Sequence, residues 1–507
     1  MDVSEHMAVG SLNEPPAAMT IAEWMTRSGV GFGTSGARGL VSAMSDAVCF
    51  AYTLGYLRHL ESCGEFGAGS PVALAGDLRP STPRILRACA AAIHHAGGVP
   101  IFCGFVPTPA LCLYAYGRSI PSLMVTGSHI PSDRNGIKFN RAGGEFLKGD
   151  EAGMRVQQVT LPEGRFDNTG MLIDNDPLPE PIDVLSTYCA RYADFFGSKA
   201  LHGLKLAVYQ HSAVGRDLLV SVLESLGAQV IRLGRSECFV PVDTEAVRQE
   251  DRAQARHWAL KHEFDALLTT DGDSDRPLLA DRHGIWLRGD VLGILAARFL
   301  QARAVATPVN SNTALEQTGF AEEISRTRIG SPYVVQAMTE AAQKGIAPSV
   351  GYEANGGFLL ATPVALQGRS LEALPTRDAV LPMLCALVAA RGCGDDLTAL
   401  LDTLPPRFTV SDRLAPLAST RSLTGIARLR EETIATGSLM PFSASCGPLS
   451  RLDETDGLRL IFENNAVVHF RPSGNAPELR VYAEAGNEDV AGQLLQMGLA
   501  LAAPWRD

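Results

Sequence analysis

The chain has no apolar run approaching the ~20 residues that cross a bilayer. Stretches such as 379–390, AVLPMLCALVAA, stop well short of that length, so no membrane anchor is expected. Basic excess is also lacking. The formal net charge is −11, whereas a nucleic-acid surface needs Lys/Arg stripes that neutralise phosphates. Nucleic acid is thus disfavoured as a partner, and any anionic ligand must meet local positive charge. Paired cysteines are missing too: ten are scattered singly from Cys49 to Cys446, with neither C-x-x-C pairs nor His-rich spacing. That excludes a zinc or disulfide framework and fits reduced, structural thiols in a cytoplasmic protein. The first twenty residues carry Asp2, Glu5 and Glu14 without a basic segment or a long apolar one. They read as a disordered leader, 1–20, and not as a secretory signal.

What the chain does have is ample core: 46% hydrophobic and 20% charged residues, over 507 positions. That length exceeds what one core organises and suggests roughly three or four domains. From Val72 the pattern predicts strand 72–76, helix 81–95, strand 99–103, helix 108–116 and strand 121–126, a βαβαβ unit. The order recurs at 204–210, 215–226, 229–233, 253–264 and 265–270, and less clearly over 291–353. Three successive units imply α/β domains with mainly parallel sheets, whose strand carboxyl ends carry ligand loops. The tail differs, with short strands at 458–463, 466–470 and 479–483 before a helix at 488–501, and reads as a smaller α+β domain. Linkers are expected near 175–181, 281–290 and 404–406, which gives domains 21–175, 176–285, 286–404 and 405–507.

The strongest local signal is Thr270-Asp271-Gly272-Asp273-Ser274-Asp275-Arg276, directly after the apolar strand 266–269. Three carboxylates at alternate positions of a turn can converge on one hard cation such as magnesium or calcium. An EF-hand needs Gly at its sixth position and Glu at its twelfth, where this chain has Arg276 and Arg282. A phosphatase with Asp271 as nucleophile and Asp273 as acid also fits an Asp-x-Asp after a strand. The segment Thr126-Gly127-Ser128-His129-Ile130-Pro131 also follows a strand and exposes one hydroxyl at the sheet edge, a nucleophile or phosphate carrier with His129 and Lys138 as proton-transfer candidates.

Gly31-Phe32-Gly33-Thr34-Ser35-Gly36 matches G-x-G-x-x-G, but no buried strand precedes it, so these glycines are expected to let backbone amides and Arg38 approach a phosphate. Arg471-Pro472-Ser473-Gly474-Asn475-Ala476-Pro477 lies between two strands and combines guanidinium, hydroxyl, amide and flexible backbone, a phosphate cradle or a plain turn. Glu353 and Asn355 stand on a Gly-rich loop after a strand, where they can hold neighbouring hydroxyls.

In this order and spacing the five segments resemble the α-D-phosphohexomutase family of phosphomannomutases, phosphoglucomutases and phosphoglucosamine mutases, over about residues 31–485. The resemblance implies three related α/β domains and a smaller C-terminal α+β domain around a central cleft. It implies a phosphoserine at Ser128, and magnesium held by Asp271, Asp273, Asp275 and a Ser128 phosphate oxygen. Arg38 and Lys138 become active-site cations, with Lys138 as first and His129 as second candidate for general acid/base. Arg276 supports the metal loop and phosphate, Glu353 and Asn355 hold sugar hydroxyls, and Arg471, Ser473, Gly474 and Asn475 bind the non-reacting phosphate.

The implied reaction interconverts hexose 1- and 6-phosphates through a hexose 1,6-bisphosphate, which also serves as activator. Mannose is the favoured sugar and glucose the second. Phosphoglucosamine mutase, a magnesium-dependent sugar phosphatase and a non-catalytic sugar-phosphate binder are the alternatives. Partners are small-molecule hexose phosphates, and the protein is expected as a monomer or homodimer. The chain departs from the family pattern at Gly127 and Ile130, at Tyr352 and Asn355, at Asn475-Ala476, and at Ser331, where some members carry histidine after a Val-Gly pair.

Overall fold

The structure, a computed structural model, describes residues 18–33, 36–174, 177–436, 442–473 and 477–506. Backbone proximity divides the chain into two compact units. The first runs to Tyr188 and takes in His211–Gly215 and Ser236–Pro241; the second holds Cys189–Gln210, Arg216–Arg235 and everything from Val242 onward.

In the first unit, Met19–Thr20 pairs antiparallel with Gln158–Val159. Thr20 then opens helix Ile21–Ser28 through a capping box with Glu23. Of the expected leader 1–20, residues 1–17 lie outside the described residues, and its last residues belong to this cap. The βαβαβ unit is present as Pro71–Gly76, Thr82–His95, Val99–Phe105, Thr108–Tyr116 and Ser122–Val125. The small and β-branched residues of Pro71–Gly76 are buried on both faces, as a central parallel strand requires. The sheet runs Gly31–Phe32, Ala37–Leu40, Arg134–Arg141, Ser122–Val125, Pro71–Gly76, Val99–Phe105. Its last three strands are parallel and the others antiparallel. Helix Asp46–Ser62 supplies Phe50, Tyr52 and Tyr56 to the core beneath.

The second unit contains three larger sheets, besides a two-stranded one of Val364–Leu366 and Arg369–Leu371. Gln229–Arg235, Lys205–His211, Ala266–Thr270 and Pro277–Asp281 form the first. The second is ordered Glu323–Thr327, Ala304–Pro308, Ser349–Tyr352, Phe358–Leu360, Leu374–Asp378. Each combines parallel pairs with an antiparallel extension, so the α/β sheets are mixed. The third, Phe408–Leu414, Leu479–Ala485, Val467–Pro472, Leu458–Phe462, Leu449–Asp453, is wholly antiparallel and packs against Glu488–Ala502, the expected α+β tail.

One expectation shifts. The helix placed at 253–264 runs Gln249–Lys261, because a polar first turn in which Arg248 pairs with Asp251 (2.7 Å) starts it earlier than its apolar residues suggest. The segment 281–290, expected as a linker, is an ordered turn: Asp281 accepts from the His283 and Ile285 amides (2.9 Å each), Trp286 bridges to Ala280, and Asp290 belongs to helix Gly289–Phe299. Among the described residues no helix is long and apolar enough to cross a membrane.

Candidate active site

Ser128 sits just past the carboxyl end of Ser122–Val125, with φ of 55° and fully buried. A non-glycine residue in the left-handed region is costly and persists where its surroundings dictate it. Here they are explicit. The Ser128 amide donates to Thr126 Oγ1 (2.7 Å), and Thr126 Oγ1 donates to Asp77 (2.7 Å). From below, the buried Arg79 guanidinium donates to the carbonyls of Ser128 (2.9 Å), Ile130 (2.5 Å), Pro131 (2.7 Å) and Arg134 (3.0 Å), and pairs with Asp77 (3.2 Å). The Phe239 ring covers it at 4.0 Å.

Burial pushes the Asp77 carboxyl up from its usual range, against Arg79 and the Thr126 and Thr82 hydroxyls. The departure at 127 has a steric reason: a Cβ on Gly127 would lie 2.5 Å from Arg79 Cζ. His129 Nδ1 stands 3.3 Å from Ser128 Oγ. Arg38 lies opposite Gly136 in the sheet, and Lys138 is two residues further along the same face, so the two cations are diagonal neighbours. Gly36, at φ 79°, lets this hairpin close, since a Cβ there would meet the Ile137 carbonyl at 2.2 Å. Thr34 and Ser35 lie outside the described residues.

In the second unit, Asp271, Asp273 and Asp275 are all buried and offer oxygens within 4.8 Å of one another. The turn closes on itself: Asp271 Oδ1 accepts from the Asp275 and Arg276 amides (3.2 Å each), and Ser274 adopts φ of 56°. Arg377, at the carboxyl end of Leu374–Asp378, joins this turn to the Glu353 loop, reaching Asp275 at 3.1 Å and Glu353 at 3.3 Å. Arg276 lies 3.7 Å from Asp275. Burial and Arg377 act against the Arg276 charge, yet the carboxylates of Asp275, Asp271 and Glu353 outweigh them and hold it above its ordinary range.

Within these ion pairs four carboxylates face two guanidinium groups, an excess of carboxylate that suits a divalent cation. An all-oxygen donor set of this kind fits magnesium or calcium. Thr244 donates to the Asn355 carbonyl (2.7 Å), and Asn355 Oδ1 accepts from the Gly357 amide (2.9 Å). Arg471 ends Val467–Pro472 and pairs with Asp456 (2.9 Å), and the Ser473 amide donates to the Glu478 carbonyl (2.8 Å). Gly474 and Asn475 lie outside the described residues.

The structure therefore groups Arg38, Ser128, His129 and Lys138 on one sheet of the first unit. It joins Asp271, Asp273, Asp275, Arg276 and Glu353 in one ionic network of the second, with Asn355 on the same loop as Glu353. Sequence reasoning missed Asp77, Arg79, Thr244, Arg377 and Asp456. The Asp-x-Arg after Pro71–Gly76 and the Arg-Asp ending Leu374–Asp378 had the strand-end position that drew attention to Ser128 and Asp271.

Three α/β domains with a buried carboxylate triad able to hold a metal ion, and cations gathered at strand ends, fit an enzyme that handles phosphate. Comparison with known proteins agrees. Phosphoglucomutase/phosphomannomutase α/β/α domains I, II and III match residues 29–157, 186–284 and 288–408. A phosphomannomutase of Sinorhizobium fredii is 42% identical over 93% of this chain and 98% of its own length. One of Salmonella muenchen is 40% identical over 94% and 96%. A solved phosphoglucomutase/phosphomannomutase family protein of Burkholderia thailandensis shares the fold at 19% identity, with a TM-score of 0.70 over 94% of this chain and 98% of that one. The chain belongs to the phosphoglucomutase/phosphomannomutase family, and it is an isomerase of the mutase type.

Proposed function

We propose that the chain interconverts hexose 1- and 6-phosphates, with mannose preferred and glucose accepted, through a phosphorylated Ser128 and a hexose 1,6-bisphosphate that also acts as activator. The observation that supports this reading is the Arg377 bridge, which ties the buried acidic turn to the carboxylate of Glu353. Phosphoryl transfer calls for in-line positioning and neutralised oxygens more than for covalent machinery. Asp271, Asp273 and Asp275 would hold magnesium, which when bound withdraws charge from phosphoryl oxygens.

Ser128 Oγ carries the phosphoryl group between half-reactions. Lys138 is the first candidate to move the proton of the acceptor hydroxyl, with Arg38 neutralising charge beside it. His129, with Nδ1 near Ser128 Oγ, is the second. Glu353 and Asn355 hold sugar hydroxyls, and Arg471, Ser473, Gly474 and Asn475 hold the phosphate that does not react. Mannose is favoured because the relatives at 40% and 42% identity are phosphomannomutases. The phosphatase alternative is disfavoured by Asp271, whose Oδ1 serves two amides of its own turn instead of pointing at a substrate. A cytoplasmic setting suits ten cysteines of which none forms a disulfide.

The test compares mannose, glucose and glucosamine 1-phosphates, each with its 1,6-bisphosphate and magnesium, following isomer formation and free phosphate separately. Isomerisation fastest with mannose 1-phosphate is expected. Stoichiometric phosphate release, or preference for glucosamine, would overturn the assignment.

A further inference from the structure

The hairpin turn between Leu449–Asp453 and Leu458–Phe462 has no part in the chemistry proposed above, yet it is built with unusual care. Thr455 donates from both its amide (3.0 Å) and its hydroxyl (2.7 Å) to Asp453 Oδ1. The buried His469 approaches the Asp456 carbonyl with Nε2 at 2.6 Å. Burial drives the His469 pKa down to about 4, so the ring is neutral near pH 7, and facing a carbonyl its Nε2 must carry the proton.

This scaffold aims the Asp456 carboxylate at two targets. Its Oδ2 accepts from Arg471 Nε at 2.9 Å and from the Ile329 amide at 3.0 Å. Beside it, Arg328 Nε donates to the Thr455 carbonyl at 3.1 Å. Residues 328 and 329 lead into helix Ser331–Gln343 of the preceding α/β domain. One oxygen thus ties that domain's turn to the arginine that opens the candidate phosphate loop.

We propose that Asp456 is a positioning residue for phosphate recognition: it fixes the plane of the Arg471 guanidinium through Nε and couples it to the 328–330 turn. With Nε–H directed at Asp456, the two terminal nitrogens form the edge presented to a phosphate, the fork geometry that makes arginine a bidentate phosphate ligand. The Asp456 and Arg471 side chains keep 20% and 17% exposure, so a phosphate can reach this edge without opening a core. The inference rests on the phosphate-loop role given to Arg471 above.

The test is a double-mutant cycle with the full-length protein, read as kcat and KM for the preferred hexose 1-phosphate, with thermal melts as the check on folding. Asp456→Ala should raise KM roughly tenfold with little change in kcat, the effect of losing one charge-assisted hydrogen bond. Asp456→Asn, which retains an acceptor oxygen, should lose about threefold, and it also serves if the alanine variant does not fold. In an Arg471→Ala background, Asp456→Ala should add less than about twofold. A normal KM for Asp456→Ala, or an equal loss with and without Arg471, overturns the positioning role while leaving the phosphate loop intact. An unchanged KM for Arg471→Ala itself overturns both.

Discussion

The serine loop and the acidic turn stand at equivalent places, each at the carboxyl end of a central strand and each with a serine in the left-handed region, Ser128 and Ser274. They are held in opposite ways. Under the serine loop one buried cation, Arg79, gathers four carbonyls and is matched by one anion, Asp77. Around the acidic turn, carboxylates outnumber guanidinium groups by two. The first pairs its cation and anion within the loop; the second gathers carboxylates in the arrangement that suits a divalent cation. A loop that must present one hydroxyl repeatedly gains from being finished in advance, whereas a loop that must bind an ion has to store unbalanced charge for it.

The change with the largest expected effect removes the presented group. Ser128→Ala should abolish mutase turnover, because the phosphoryl carrier is lost. Its melting temperature should remain near that of the parent, since the loop is held through backbone atoms by Arg79. Intact-mass analysis of the active parent should find one phosphate, located at Ser128. Turnover near normal in the variant would remove the covalent route and with it the reason for a prefinished loop.

Asp273→Asn comes next. It should lower kcat on the order of a hundredfold or more, with a smaller effect on hexose-phosphate affinity, since the ion acts chiefly on charge in the transition state. It also tests the charge imbalance without any assay of activity. The variant carries one negative charge fewer, so the metal-free protein should be no less stable than the parent, and the rise in melting temperature on adding magnesium should shrink. A metal-free variant that melts lower, with an undiminished magnesium effect, would show that the turn does not store charge for a cation.

Glu353→Ala should lower kcat/KM for mannose and glucose phosphates alike, by roughly ten- to a hundredfold for one charge-assisted bond. Because Arg377 joins Glu353 to Asp275, the variant removes one negative charge from the network around the acidic turn, so it should also weaken magnesium binding, though less than it weakens sugar binding. Loss confined to mannose phosphate would mean that Glu353 reads position 2 of the sugar, and no loss for either would remove this loop from the site.

The difference between the two loops also explains what could be read in advance. The acidic turn announces itself, because the metal role proposed for it calls for three identical side chains at alternate positions, 271, 273 and 275. Ser128 and its neighbours were legible through a strand end and a short motif. The α/β units were legible from runs such as 72–76 and 266–270, mostly apolar or β-branched and buried on both faces. Long-range partners were not legible. Arg79 meets carbonyls 49 to 55 residues away, Arg377 meets a carboxylate 24 residues away, and Asp456 meets an amide 127 residues away. No local periodicity encodes such pairs. Helix Gln249–Lys261 was misplaced for a related reason: its start is marked by the Arg248–Asp251 pair and not by its apolar residues.

The smallest expected effect comes from Gly127→Ala, and it separates the two loops most sharply. A methyl group 2.5 Å from Arg79 Cζ cannot be accommodated without moving the guanidinium or the loop, and overpacking of this kind costs about 1–3 kcal/mol. Arg79 has little room to yield, because its fork is engaged by four carbonyls and its face by Phe239. The loop should yield instead, so Ser128 shifts by a fraction of an ångström and turnover falls several-fold while KM holds, as misplacement of a reacting group predicts. Amide hydrogen exchange should quicken over residues 126–131 and remain unchanged over 271–276, where nothing presses on the turn. If exchange and turnover both match the parent, Arg79 is not packed against residue 127 as described, and the serine loop is held less rigidly than the contrast with the acidic turn requires.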